Sequence, residues 1–164
     1  MAQLKDIARE VVDLLLQEKM TLSLAESFTG GMIAAALVDR PGVSAALVEG
    51  CVCYSNEAKM RTLGVREETL RKFGAVSAQC ALEMVHGMCD YTGSNCAIAV
   101  TGIAGPGGGT KDKPVGLVYF GVLAGARERV ERRVFQGDRT QVREQAAACA
   151  LELMRDLIEE KQGE

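Results

Sequence analysis

Apolar positions along this chain change their period several times, and each change marks a new element. Leu4, Ile7, Val11, Val12, Leu15 and Leu16 recur three and four residues apart, which predicts an amphipathic helix over Gln3–Lys19. The short run Leu22–Ala25 predicts a strand, and Met32–Val38, entered through Gly31, predicts a buried helix. Asp39-Arg40-Pro41-Gly42 reads as a turn, and Ala46–Tyr54 as a second buried strand that ends at the tyrosine. Asn56 is placed to cap a helix running through Leu63, and Gly64 to end it. Arg66–Phe73 supplies another short helix, and Ser77 caps a longer one that turns Ala81, Met84, Val85 and Met88 inward. Asn95–Thr101 is nearly all apolar, as a central strand covered on both faces must be. Val115–Leu123 and Arg129–Phe135 flank Ala124-Gly125-Ala126 as an antiparallel hairpin. A last helix, from near Asp138 to about Glu160, buries Val142, Ala146, Cys149, Leu153 and Leu157.

This order predicts an α/β fold: a single-domain α/β/α layered arrangement spanning residues 1–164, with a mixed, mainly parallel sheet. A chain of 164 residues can bury enough apolar surface to fold without disulfides or a structural metal. Hydrophobic residues make up 48% and charged residues 25%, with a net charge of −3, so there is no basic stripe for a nucleic-acid backbone. No run approaches the roughly 18 apolar residues of a membrane span, and the first residues lack the apolar core of a signal peptide. The expectation is a cytoplasmic protein that binds neither nucleic acid nor membrane. Cys51, Cys53, Cys80, Cys89, Cys96 and Cys149 stand in apolar contexts without a CxxC pair, so buried free thiols are expected and no metal site.

The candidate chemistry gathers at the predicted strand ends. Ser27, in Ala25-Glu26-Ser27-Phe28-Thr29-Gly30-Gly31, follows the first strand and precedes a helix, which puts it at the carboxyl edge of the sheet, where α/β folds hold ligands. It is either a nucleophile or a helix cap. The lone imidazole, His86, lies in a Met- and Cys-bearing stretch, so a base for Ser27 has to be a lysine or a carboxylate. Lys59, just after the second strand, is the candidate, since a buried ammonium loses its proton readily. Tyr54 ends that strand beside it, as a catalytic phenol or simply a strand-end aromatic.

Gly30 and Gly31 open a helix whose amides suit an anion or oxyanion, or else merely allow close packing. The loop Gly102–Gly109, which includes Gly105 and follows Thr101, has amides able to wrap an anion but lacks every standard nucleotide signature. Arg139 and Arg143 lie one turn apart on the last helix, a fork for a phosphate or a pair of solvated charges.

Taken together, Ala25–Gly31, Tyr54-Ser55-Asn56-Glu57-Ala58-Lys59, Phe73-Gly74-Ala75-Val76-Ser77, Val100–Gly108, Lys113-Pro114-Val115-Gly116 and Gly137-Asp138-Arg139 closely resemble the CinA carboxy-terminal domain family. Stand-alone members of that family are nicotinamide-nucleotide amidohydrolases. The resemblance implies hydrolysis of the carboxamide of nicotinamide mononucleotide to nicotinic acid mononucleotide and ammonia, a step of pyridine-nucleotide salvage, without a cofactor or metal. It implies Ser27 as nucleophile, Lys59 as general base, Tyr54 beside them, and Thr101 and Gly105 lining the substrate pocket. Ser44, in Pro41-Gly42-Val43-Ser44, matches a further polar site position, where it either touches the substrate or competes with Ser27 as nucleophile. Either Arg139 or Arg143 belongs to the site. The partner implied is a small nucleotide, and a homodimer is expected of a small α/β enzyme.

Two departures stand out. Many members have cysteine or another small residue where this chain has Phe28, which adds bulk beside the nucleophile. Larger CinA proteins also carry an amino-terminal nucleotide-cleaving domain, which 164 residues cannot hold. The rival reading is a nucleotide-binding regulatory module that keeps the pocket and has lost turnover, with the bulk of Phe28 as its steric ground. A scaffold that self-associates through the glycine-rich loop is a third.

Overall fold

A computed structural model describes residues 2–162. Five strands form one sheet in the order β2-β1-β3-β4-β5. These are β1 (Leu22–Glu26), β2 (Leu47–Val52), β3 (Cys96–Gly102), β4 (Leu117–Ala124) and β5 (Arg127–Val134). β1 pairs in parallel with both β2 and β3, whereas β4 runs antiparallel to β3 and to β5, so four strands share one direction and only β4 opposes them. The sheet is mixed, as the element order predicted.

Six helices cover it: α1 (Ala2–Glu18), α2 (Met32–Val38), α3 (Asn56–Leu63), α4 (Glu67–Phe73), α5 (Ala78–Thr92) and α6 (Arg139–Gln162). The alternation of β3 shows how the core divides. Cys96, Ile98 and Val100 face a core built with α1, α2 and α6, while Ala97 and Ala99 face a smaller one built with α3 and α5. None of the described helices is long and apolar enough to cross a membrane.

Two expectations need correction. Ala46–Tyr54 does not form a buried strand: β2 is an outer strand, with Val48 50% and Val52 49% exposed. Unbroken apolarity cannot distinguish a covered strand from an edge that leaves apolar residues open to solvent. The cap of α3 is Ser55 rather than Asn56, because the Ser55 hydroxyl accepts from the Ala58 amide at 3.1 Å. Ser77 does cap α5, accepting from the Cys80 amide at 3.1 Å.

The topology fixes where a ligand can enter. The chain leaves β1 toward α2 on one face and leaves β2 toward α3 on the other, which opens a crevice between the carboxyl ends of these neighbouring strands. That is the switch point at which open α/β sheets bind ligands.

Candidate active site

Ser27 follows the last residue of β1 directly, and Lys59 sits one turn into α3, which begins just beyond β2. The crevice brings them together. Lys59 Nζ donates to Ser27 Oγ at 3.1 Å, and both side chains are buried, with Lys59 only 2% exposed. The remaining ammonium hydrogens go to the carbonyls of Cys53 and Tyr54, each at 3.0 Å. No carboxylate among the described residues forms an ion pair with Lys59. Burial therefore pulls its pKa below the ordinary lysine value, while the neighbouring Cys80 and Cys53 sulfurs act in the opposite direction.

The three acceptors are not equivalent. Carbonyl oxygens can only accept, so a neutral Lys59 keeps its two N–H bonds on Cys53 and Tyr54 and turns its lone pair toward the one partner able to donate, the Ser27 hydroxyl. Loss of the proton thus reverses a single hydrogen bond and leaves a hydroxyl aimed at an amine. That is the geometry a general base needs.

Glu26 accounts for the turn around Ser27. Its carboxylate, 1% exposed, accepts from the Thr29 hydroxyl at 2.7 Å and from the amides of Ile33 and Ala34 at 3.1 and 3.0 Å. The chain thus caps α2 with its own anion, placed at the positive end of the helix dipole. The Gly30 and Met32 amides are also engaged, with the carbonyls of Ser27 and Thr29. Of the amides at this helix start, those of Gly30, Met32, Ile33 and Ala34 are thus engaged from within the chain. Gly30 and Gly31 both have positive φ, 63° and 95°, and they shape the turn between Ser27 and α2.

The two arginines of α6 both reach this end of the sheet. Arg143 donates Nε to the Phe28 carbonyl at 2.9 Å and Nη2 to the Thr29 carbonyl at 3.0 Å, so its fork holds the backbone just after Ser27. Arg139 donates Nη1 to the Gly105 carbonyl at 2.7 Å and Nη2 to the Tyr54 hydroxyl at 3.3 Å, tying the glycine-rich loop to the far side of the crevice. Their helix starts where it does because Asp138 and Gln141 cap it reciprocally, each accepting from the other's amide at 2.9 and 2.8 Å.

Gly105 is thus present at the site through its carbonyl. Thr101 lies on the same face of the sheet as Ser27, two residues beyond the Ala25–Ala99 pair, and its hydroxyl donates to the Ala75 carbonyl at 2.9 Å. Lys113 reaches the Phe73 carbonyl, so the 73–77 strap is held from two sides.

Ser44 is not brought to the site. It lies exposed in a short 3-10 turn, Val43–Ala45, before β2, at the opposite end of the parallel β1/β2 pair from Ser27. A Ser44 nucleophile within the same chain is ruled out by that placement. Phe28 also departs from expectation. Its ring is 4% exposed within the α1/α2/α6 core and lies against Gly102, on the other face of the sheet from Lys59. Its bulk fills core and leaves the crevice open. His86 is remote from Ser27 and pairs on the surface with Glu128 at 2.6 Å.

Sequence reasoning missed the Glu26 cap, for which a carboxylate three residues before a threonine at a helix start was the available signal. It also missed the Cys53 and Tyr54 carbonyls, for which no sequence signal exists. Among the described residues no three histidine, cysteine, aspartate or glutamate side chains converge, and none of the six cysteines forms a disulfide. Burial raises Cys80, which neighbours Lys59, to about 11, and Cys51 to about 12, with the adjacent Cys53 adding to the second shift.

The model of the CinA C-terminal domain matches residues 4–158. The chain belongs to that family. A CinA-like protein of Kosmotoga olearia is 48% identical over 145 residues, covering 88% of this chain and 35% of the relative. The chain spans about a third of the length of the curated relatives it matches. The competence/damage inducible protein CihA from Agrobacterium tumefaciens superimposes with a TM-score of 0.89 at 42% identity, covering 94% of this chain and 95% of that one. A CinA superfamily protein from Klebsiella pneumoniae gives 0.92 at 35% identity, covering 96% and 98%. These names describe inducibility and kinship, and none names a reaction.

Proposed function

We propose that this CinA-family chain is an amidohydrolase acting on a nicotinamide nucleotide, nicotinamide mononucleotide in particular, with Ser27 as nucleophile and Lys59 as its base. The observation that carries this reading is the buried Lys59 Nζ, 3.1 Å from Ser27 Oγ and without a carboxylate partner among the described residues. Choice of the nicotinamide carboxamide rests on the family resemblance of the Ser27, Tyr54–Lys59 and Val100–Gly108 segments.

A pyridinium ring withdraws electrons from its carboxamide and makes the carbonyl carbon electrophilic. Neutral Lys59 takes the Ser27 proton as the oxygen attacks, giving a tetrahedral oxyanion. Because Tyr54 accepts from Arg139, its own hydroxyl hydrogen remains for that oxyanion. Collapse of the intermediate passes the Lys59 proton to the departing ammonia and leaves a nicotinoyl ester on Ser27. Water, deprotonated by Lys59, then cleaves the ester and restores the serine.

The rival reading, a binding module without turnover, loses its steric ground because Phe28 lies in the core behind the sheet. Ammonia release from nicotinamide mononucleotide by the wild type, Ser27→Ala and Lys59→Ala distinguishes the two. Release by the wild type alone is expected. Tight nucleotide binding by calorimetry with no ammonia from the wild type would establish the rival.

A further inference from the structure

Sulfur lines the smaller of the two cores. Cys53, Cys80, Met84 and Met88 lie in it, and Cys51 and Cys89 pack against it. Three of these sulfurs touch: Cys51 Sγ lies 3.4 Å from Cys53 Sγ and donates to Met88 Sδ at 3.7 Å. The backbone accounts for the first contact. From Glu49 to Val52 the β1/β2 register is regular, and Cys53 continues the strand with its amide bonded to the Glu26 carbonyl at 2.8 Å. A two-residue spacing then turns both thiols to one face of the sheet, where Met88 of α5 packs.

We propose that Cys51, Cys53 and Met88 form a trigonal site for a soft monovalent cation, copper(I), at the rim of the smaller core. The donor set selects the ion. No histidine, carboxylate or third cysteine among the described residues joins Cys51 and Cys53, whereas zinc takes about four nitrogen, oxygen or thiolate ligands. Two thiolates and a thioether are the soft donors that suit copper(I).

The spacing fits the same ion. Three metal–sulfur bonds of about 2.3 Å in one plane hold their sulfurs about 4 Å apart, so the two contacts need open by no more than about 0.6 Å. Met88 has an unbranched, adaptable side chain able to take up such a shift. The two thiol hydrogens now lie among the three sulfurs, and one metal ion replaces both. Binding releases them as two protons and leaves a centre with one negative charge. Lys59 is at hand as a counter-charge, because it bonds the Cys53 carbonyl at 3.0 Å and feels the Cys53 sulfur.

Access follows from the place of β2 in the sheet. The strand is outermost, and Cys51 is partly exposed, whereas Cys53 is 2% exposed and Met88 is fully buried. An ion therefore meets Cys51 first and moves inward to the other two sulfurs. Behind them the core is apolar, which keeps water and hard ligands off the metal.

Anaerobic titration of the reduced chain with copper(I), against bicinchoninate as a coloured competitor, tests the site. The wild type is expected to take about one equivalent from the chelator. Cys51→Ser and Cys53→Ser are each expected to lose it, and Met88→Leu to hold it about tenfold or more weakly. Cys80, Cys89, Cys96 and Cys149 remain in all three variants, so the losses isolate the trio. Copper K-edge absorption by the loaded wild type needs no variant to fold, and should show three sulfurs at about 2.3 Å. A wild type that takes no copper, a serine variant that takes as much as the wild type, or a shell of nitrogen or oxygen around the metal overturns the site. Unchanged copper affinity in Met88→Leu overturns the trigonal assignment. None of these readings depends on the reaction at Ser27.

Discussion

If Lys59 must be neutral to accept the Ser27 proton, the rate should follow its titration. A lysine at its ordinary pKa is only about 0.04% neutral at pH 7, equivalent to about 5 kcal/mol of barrier. Each unit by which burial lowers that pKa removes about 1.4 kcal/mol and raises the neutral fraction tenfold. The structure supplies such burial: 2% exposure, no carboxylate partner among the described residues, and two carbonyls that hold the amine without neutralising it.

The sign follows from the shift. With the pKa depressed, log kcat/KM for ammonia release should climb with unit slope as pH rises, then level off above an apparent pKa below 10.5. Lys59→Met keeps the apolar stem as far as Cε and has no basic nitrogen. It should abolish this limb and lower the plateau by about 10²- to 10⁴-fold, the usual range for loss of a positioned base. Circular dichroism checks the fold, because the two carbonyls each lose a donor at about 1–3 kcal/mol if left dry. A Met variant that kept both the limb and the rate would refute the reasoning outright.

Three further outcomes follow from the geometry. Glu26→Gln should destabilise the protein by about 1–2 kcal/mol in urea unfolding, since a neutral amide replaces the anion on the Ile33 and Ala34 amides. Arg139→Ala should raise KM for nicotinamide mononucleotide about tenfold or more and leave the corresponding riboside nearly unaffected, if this arginine, rather than Arg143 on its two backbone carbonyls, meets the phosphate. Phe28→Leu should cost up to about 1.5 kcal/mol of stability and leave the ratio of kcat/KM between nucleotide and riboside unchanged, because the ring packs against Gly102 behind the sheet.

By itself the sequence determined the local structure. Spacing of apolar residues set α1 and α6, unbroken apolarity marked β3, and Gly64 and Ser77 placed the end of α3 and the start of α5, because each depends on residues a few positions apart. It also placed Ser27 and Lys59 just past strand ends, which in an α/β chain is enough to name them as candidates. Tertiary structure decided what depends on the order of strands. That order made β2 an outer strand, sent Ser44 to the far end of the sheet, and buried Phe28 on the face away from Lys59. It also decided which backbone atoms surround the site. Carbonyls carry no side-chain signature, so neither the Cys53 and Tyr54 acceptors that aim Lys59 at Ser27 nor the Phe28 and Thr29 acceptors that occupy Arg143 were visible until the chain was folded.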